Sequence, residues 1–167
     1  VCLNREVMET VAESLGFASD ASRDDRHLCL LPLATLLENI GGIYTPLLAG
    51  ATVCLPRLAA VGLSGSSGLD VGRLLAALHA WRASSAIMVP QMLQAVVMAG
   101  QAGAALPRSL RYLAVGGAPV AGRLLDNARA LGLPVYEGYG LSECGSVVAV
   151  NRPGTSRAGS VGKPLPH

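Results

Sequence analysis

Charge is what this chain has least of. Only 14% of its 167 residues are Asp, Glu, Lys or Arg, against about 25% in ordinary soluble domains. A surface so poor in charge is built to be covered, by another part of a longer chain or by a partner, and it favours self-association of the segment alone. The net charge is +2 and no basic stripe occurs, which excludes a nucleic-acid footprint. There is no CxxC pair. Cys2, Cys29, Cys54 and Cys144 are scattered, so neither a zinc site nor a disulfide framework is supported, as fits the cytoplasm. Cys29 and Cys54 stand in apolar runs, where a cysteine behaves as a small buried hydrophobe. No basic region followed by an apolar stretch opens the chain, so no signal peptide is in view. No membrane span is expected. The uncharged run Asn39–Pro56 is broken by Gly41, Gly42, Pro46 and Gly50, and reads as helix, turn and strand.

What is present is an alternation of strands and helices. Strand candidates are LCLLPL (28–33), ATVCLP (51–56), AIMVP (86–90), RYLAVGG (111–117) and PVYEGYG (134–140). Between them lie helical patterns. Asn4–Leu15 carries Val7, Met8, Val11 and Leu15 on one face, with Gly16 as a stop signal. Asp70 can cap a helix that turns Leu74, Leu75, Leu78 and Trp81 inward. Pro90 and Pro119 fall where a first helical residue would sit, and Gly132 closes the last helix. Strands apolar on both faces and separated by helices predict an α/β fold, a mostly parallel sheet with helices on both faces. The crossovers are expected to be right-handed. SGSSG (64–68) reads as a flexible loop, since it lacks the lysine of a phosphate-binding loop and does not follow a strand directly. Residues 1–151 are expected to form one subdomain, and 152–167 a turn-rich connection toward a following part.

In open parallel sheets ligands bind at the carboxyl ends of strands, and two features fall there. GGAP (116–119) ends one strand. Its glycines either let backbone approach a ligand beside a helix N-terminus or serve a tight turn that merely needs glycine. On pattern alone both readings stand. The second feature is YEGYGLSE (136–143). Tyr139 offers an aromatic face for a base, Gly140 leaves room beside it, Ser142 offers a hydroxyl for a phosphate oxygen, and Glu143 offers a hard oxygen ligand for Mg²⁺. A core tyrosine and a loop acid are the plain alternative. Two such features on consecutive strand ends favour the nucleotide reading.

The pair GGAP and YGLSE resembles the adenylate-forming superfamily of acyl-CoA synthetases, luciferases and peptide-synthetase adenylation domains, whose signature is YGxTE. Serine stands here for threonine, keeping the hydroxyl and losing the methyl. GSVGKPLP (159–166) resembles the stretch that follows in that family. LLPLATLLENIGG (30–42) is similar to the LPLAHxFE run of long-chain fatty acyl-CoA ligases, and the Val-Pro of AIMVPQML fits the same group.

The resemblance implies the large N-terminal domain of an enzyme that activates a carboxylic acid with ATP and Mg²⁺ and passes it to coenzyme A. It implies that Tyr139 stacks on adenine, Ser142 contacts the α-phosphate and Glu143 holds Mg²⁺. Gly116, Gly117, Ala118 and Pro119, with Gly138, Gly140 and Leu141, would line the adenine and acyl pocket. It also implies that a phosphate loop precedes Val1, that a ribose-binding aspartate and an adenylation lysine follow His167, and that the segment alone is inactive. The family histidine of LPLAH is replaced by Thr35. Thr35 and Glu38 instead have the spacing of a capping box. His27 and His79 are expected on a surface or a helix face. Two rivals stay open: an aryl, amino-acid or carrier-protein adenylating enzyme of the same superfamily, and a non-catalytic nucleotide-binding module.

Overall fold

The computed structural model describes residues 1–65, 68–157 and 159–166. In chain order the first elements are α1 (Arg5–Ala18), β1 (Arg26–Leu28) and α2 (Leu36–Glu38), which runs into a π-helix (Asn39–Tyr44) and α3 (Thr45–Leu48). β2 (Thr52–Cys54), the hairpin β3 (Leu63–Ser64) and β4 (Gly68–Leu69), and α4 (Val71–Ala80) follow. Then come β5 (Ser85–Met88), α5 (Pro90–Gln101), β6 (Tyr112–Val115), α6 (Gly122–Ala130), β7 (Val135–Leu141), β8 (Ser146–Val150) and β9 (Lys163–Pro164).

The main sheet has the order β2-β1-β5-β6-β7-β8-β9. The first five strands are parallel, and β8 and β9 add antiparallel to β7. The expected α/β architecture is therefore present, with two antiparallel strands at one edge. The pattern search missed β8 because no helix separates it from β7. A short turn suffices to reverse the chain.

Helices cover both faces. On one, Leu74 and Leu78 of α4, Leu93 and Val96 of α5 and Leu125 of α6 pack on Leu28, Met88 and Leu113 of the strands. On the other, Val11, Ala12 and Leu15 of α1 meet Ile40, Val147 and Val150. Helix starts follow local chemistry. The Asn4 side chain accepts the Val7 N–H at the head of α1, and Asp70 accepts the Arg73 N–H at the head of α4.

Several expectations need correction. β1 stops at Leu28 instead of spanning 28–33. The Leu31 N–H donates to the Glu38 side chain, and Pro32 has no donor for a ladder. α1 continues through Gly16 to Ala18, where Ser19 caps it with a hydroxyl bond to the Leu15 carbonyl (2.7 Å), and Val7 stays 37% exposed. Trp81 is the C-cap of α4 and 40% exposed, since its ring lies beyond the packed turns. Pro119 does not begin a helix, because Val120 and Ala121 remain extended or capping and α6 starts at Gly122. Ser66 and Ser67 of the SGSSG loop lie outside the described residues, while its flanks pair as the β3–β4 hairpin.

Past β8, Asn151 ties the chain down. It is buried, its side-chain amide donates to the carbonyls of Glu137 (3.2 Å) and Ser160 (2.6 Å), and its carbonyl oxygen accepts from the Arg157 N–H (3.0 Å). That brings Lys163 beside Val150. No described helix is long and apolar enough to cross a membrane.

Candidate active site

A cavity of about 270 Å³ opens at the carboxyl ends of β6 and β7 and follows the sheet face that carries α1. The pleat of β6 sends Tyr112 and Ala114 to its wall and Leu113 into the opposite core. Tyr112 stacks on Tyr136 of β7, with ring centroids 4.7 Å apart. At the mouth the structure brings together Gly116, Gly117, Gly138, Tyr139, Gly140 and Ser142, together with Leu141. Tyr139 is 52% exposed, so one ring face is free at the opening.

Gly140 is needed for a close approach. At a bulge between Tyr139 and Gly140 the chain passes β8, and a Cβ on Gly140 would collide with the Ser146 carbonyl. The bulge re-aims the chain so that Ser142 begins a one-turn 3₁₀ segment with Glu143 and Cys144. Glu143, Ala118 and Pro119 are exposed and outside the cavity lining. The two glycines of GGAP thus share the cavity with Tyr139 and Ser142, while its last two residues and Glu143 stand on the rim side.

Glu137 joins the two strand ends. Its carboxylate accepts a hydrogen bond from the Val120 N–H, although burial dominates and holds its pKa above the usual carboxylate range. The GGAP bend is in this way fastened to β7.

One wall of the cavity was not foreseen. Thr35, Leu36, Leu37 and Gly41 line it from α2 and the π-helix. A Cβ on Gly116 would stand 3.8 Å from Leu37 Cδ2, so this wall reaches the GGAP corner. The capping box is absent. Thr35 makes no side-chain cap bond, and Glu38 is 0% exposed with its carboxylate turned inward. Glu38 Oε1 meets His27 Nε2 at 3.1 Å, and Oε2 accepts the Leu31 N–H at 2.9 Å. His27 is also buried rather than on a surface, and its Nδ1 lies 3.0 Å from Ser85 Oγ. His79, by contrast, sits on an exposed helix face and bonds the Ala105 carbonyl. Cys29 and Cys54 are buried thiols, as expected, and burial together with the nearby Glu38 pushes the Cys29 thiol well above the usual range. A signal for this cluster existed in the sequence, namely a lone acid inside the apolar run LLPLATLLENIGG.

Far from the mouth, Asp25 closes the cavity's other end. It accepts from Arg111 Nε (2.6 Å) and Nη2, from Ser84 Oγ (2.7 Å) and from the Ser22 N–H (2.9 Å). Burial works to raise its pKa, but these bonds outweigh it and hold the carboxyl below its ordinary value.

A family model described as AMP-binding enzyme matches residues 3–167. The chain belongs to the AMP-binding enzyme family. Among curated relatives, it is 30% identical over 155 residues to an indoleacetate–CoA ligase of Aromatoleum aromaticum, covering 89% of this chain and 28% of that protein. It is 46% identical to the long-chain-fatty-acid–CoA ligase FadD15 of Mycobacterium bovis, but over 63 residues, 38% of this chain and 10% of that protein. Among solved structures, o-succinylbenzoate CoA synthetase from Bacillus subtilis with its acyl-adenylate superposes with a TM-score of 0.82 at 25% identity, covering 99% of this chain and 32% of that one. The chain therefore spans between a tenth and a third of the length of these AMP-binding relatives.

Proposed function

We propose that the complete protein carrying this chain is an ATP-dependent acid–CoA ligase, and that Tyr139, Ser142, Glu143 and the GGAP bend form its adenylation corner. The observation that carries this reading is the meeting of Gly116, Gly117, Tyr139 and Ser142 on one cavity, in a chain of the AMP-binding family. An oxygen of the substrate carboxylate attacks the α-phosphorus of ATP, the bond to the bridging oxygen breaks, and pyrophosphate leaves with that electron pair. The acyl-adenylate so formed gives its acyl group to the coenzyme A thiol, releasing AMP. Tyr139 stacks on the adenine, the Ser142 hydroxyl donates to an α-phosphate oxygen, and the backbone of residues 116–119 with Gly138, Gly140 and Leu141 lines the nucleotide and acyl space. Such chemistry depends on position and on charge stabilisation more than on proton transfer.

The donor set at the rim suits Mg²⁺, a hard cation that takes one or two carboxylates and completes its shell with phosphate and water. Glu143 is an exposed carboxylate next to Ser142 and would hold it. When bound, the cation neutralises charge growing on the phosphoryl oxygens.

Two acid classes fit. The LPLA run favours a fatty acid, whereas relatives matching most of the chain bear the names indoleacetate–CoA ligase and feruloyl-CoA synthase, which favours an aryl acid. ATP–pyrophosphate exchange by the complete protein, with a panel of fatty and aryl acids, decides between them. Exchange with no acid at all would refute the ligase reading.

A further inference from the structure

His27, Cys29 and Glu38 place three donor atoms within 4.8 Å of one another in the interior, a spacing a metal ion could bridge. Every one of them is already engaged. Both Glu38 oxygens have partners, both His27 ring nitrogens have partners, and Cys29 Sγ donates to the Gly42 carbonyl at 3.6 Å. The trio is a closed hydrogen-bonded knot, not a vacant ligand set.

What the knot joins is informative. Through Leu31 it grips the loop after β1, through His27 it grips β1, and through Ser85 it reaches β5. Glu38 itself ends α2 and begins the π-helix. The cavity wall of Thr35, Leu36, Leu37 and Gly41 is therefore suspended from one buried carboxylate. Gly42 is part of the same device, because a Cβ there would collide with Glu38 Oε1 and His27 Nε2.

We propose that Glu38 is a positioning residue that sets the acid-binding wall of the cavity through Leu31 and His27, without touching either substrate. This rests on the ligase reading for its effect on turnover, though not for its effect on the wall. An amide in place of the carboxylate can satisfy both neighbours, since its oxygen accepts from the Leu31 N–H and its NH₂ donates to the His27 ring.

The test uses the complete protein with Glu38→Ala, Glu38→Gln and Gly42→Ala. In Glu38→Ala the acid KM rises about tenfold, the scale of one lost buried hydrogen bond, while the ATP KM stays within about twofold of wild type. Glu38→Gln recovers most of that loss. Amide hydrogen exchange accelerates over residues 29–41 in Glu38→Ala, returns in Glu38→Gln, and is unchanged in α4, α5 and α6. If Glu38→Ala does not fold, Gly42→Ala shows the same acid-selective rise in smaller measure. The proposal is overturned if both KM values move together, if Gln is as damaging as Ala, or if exchange rises equally over the whole molecule. A wild-type protein that activates no acid sinks the ligase reading, and the exchange pattern then decides the role of Glu38 alone.

Discussion

In a chain with 11 acids, the interior at β1 and the rim at β7 use them in contrasting ways. Inside, Glu38 and Asp25 are buried and meet four hydrogen-bonding neighbours or fewer, each at a fixed place in the chain. At the rim, Glu143 is exposed, and among the described residues no hydrogen bond or ion pair engages it. A buried carboxylate without partners is strongly disfavoured, so the interior acids had to be fully matched by the fold. An exposed one is hydrated and costs nothing to leave free. The difference separates acids that hold the protein together from the one that is available to a ligand.

The contrast breaks most sharply at Glu143. In the complete protein Glu143→Ala is expected to lower adenylation by ~10²–10³, as for loss of one preorganised stabiliser, while thermal unfolding barely moves, as for an exposed substitution. Unchanged ATP–pyrophosphate exchange would remove Glu143 from the site. Asp25→Ala should do the reverse, costing about 2 kcal/mol in denaturant unfolding because Arg111 loses its partner in a half-buried setting. The pH dependence has a definite sign. Asp25 titrates lower in the folded state than the unfolded value of about 3.9, so its stabilisation is complete above that value and lost as pH falls through the folded pKa. The Ala variant should show a flatter acid limb. Ser142→Ala is expected to slow adenylation about tenfold with the ATP KM raised, the worth of one hydrogen bond to a charged oxygen. Smallest is Asp70→Ala, about 1 kcal/mol by melting, because it removes only the cap of α4.

The same division explains what the sequence made readable. Strand cores at 85–88, 112–115 and 135–141, the Asp70 cap and the Pro90 start rest on neighbours within a few residues, and periodicity exposes them. YGLSE and GGAP were legible as motifs, and the cavity links their glycines, Tyr139 and Ser142. Glu38 was misread because its spacing from Thr35 satisfies a local rule, while its actual partners come from β1 and the loop after it. His27 was misread for the same reason, since Ser85 lies 58 residues away. β8 escaped because only its antiparallel seat beside β7 makes SVVAV a strand rather than a continuation of the turn.

The π-helix at Asn39–Tyr44 has a consequence for chain length. A π-turn accommodates one residue more than an α-turn. Deleting a single residue there would let the segment rewind and rotate everything after it by about 100° around the axis. Thr45 and Pro46, both interior, would swing toward solvent and the outward Leu47 and Leu48 would come in. This stretch should therefore accept many changes of residue type and almost none of residue number.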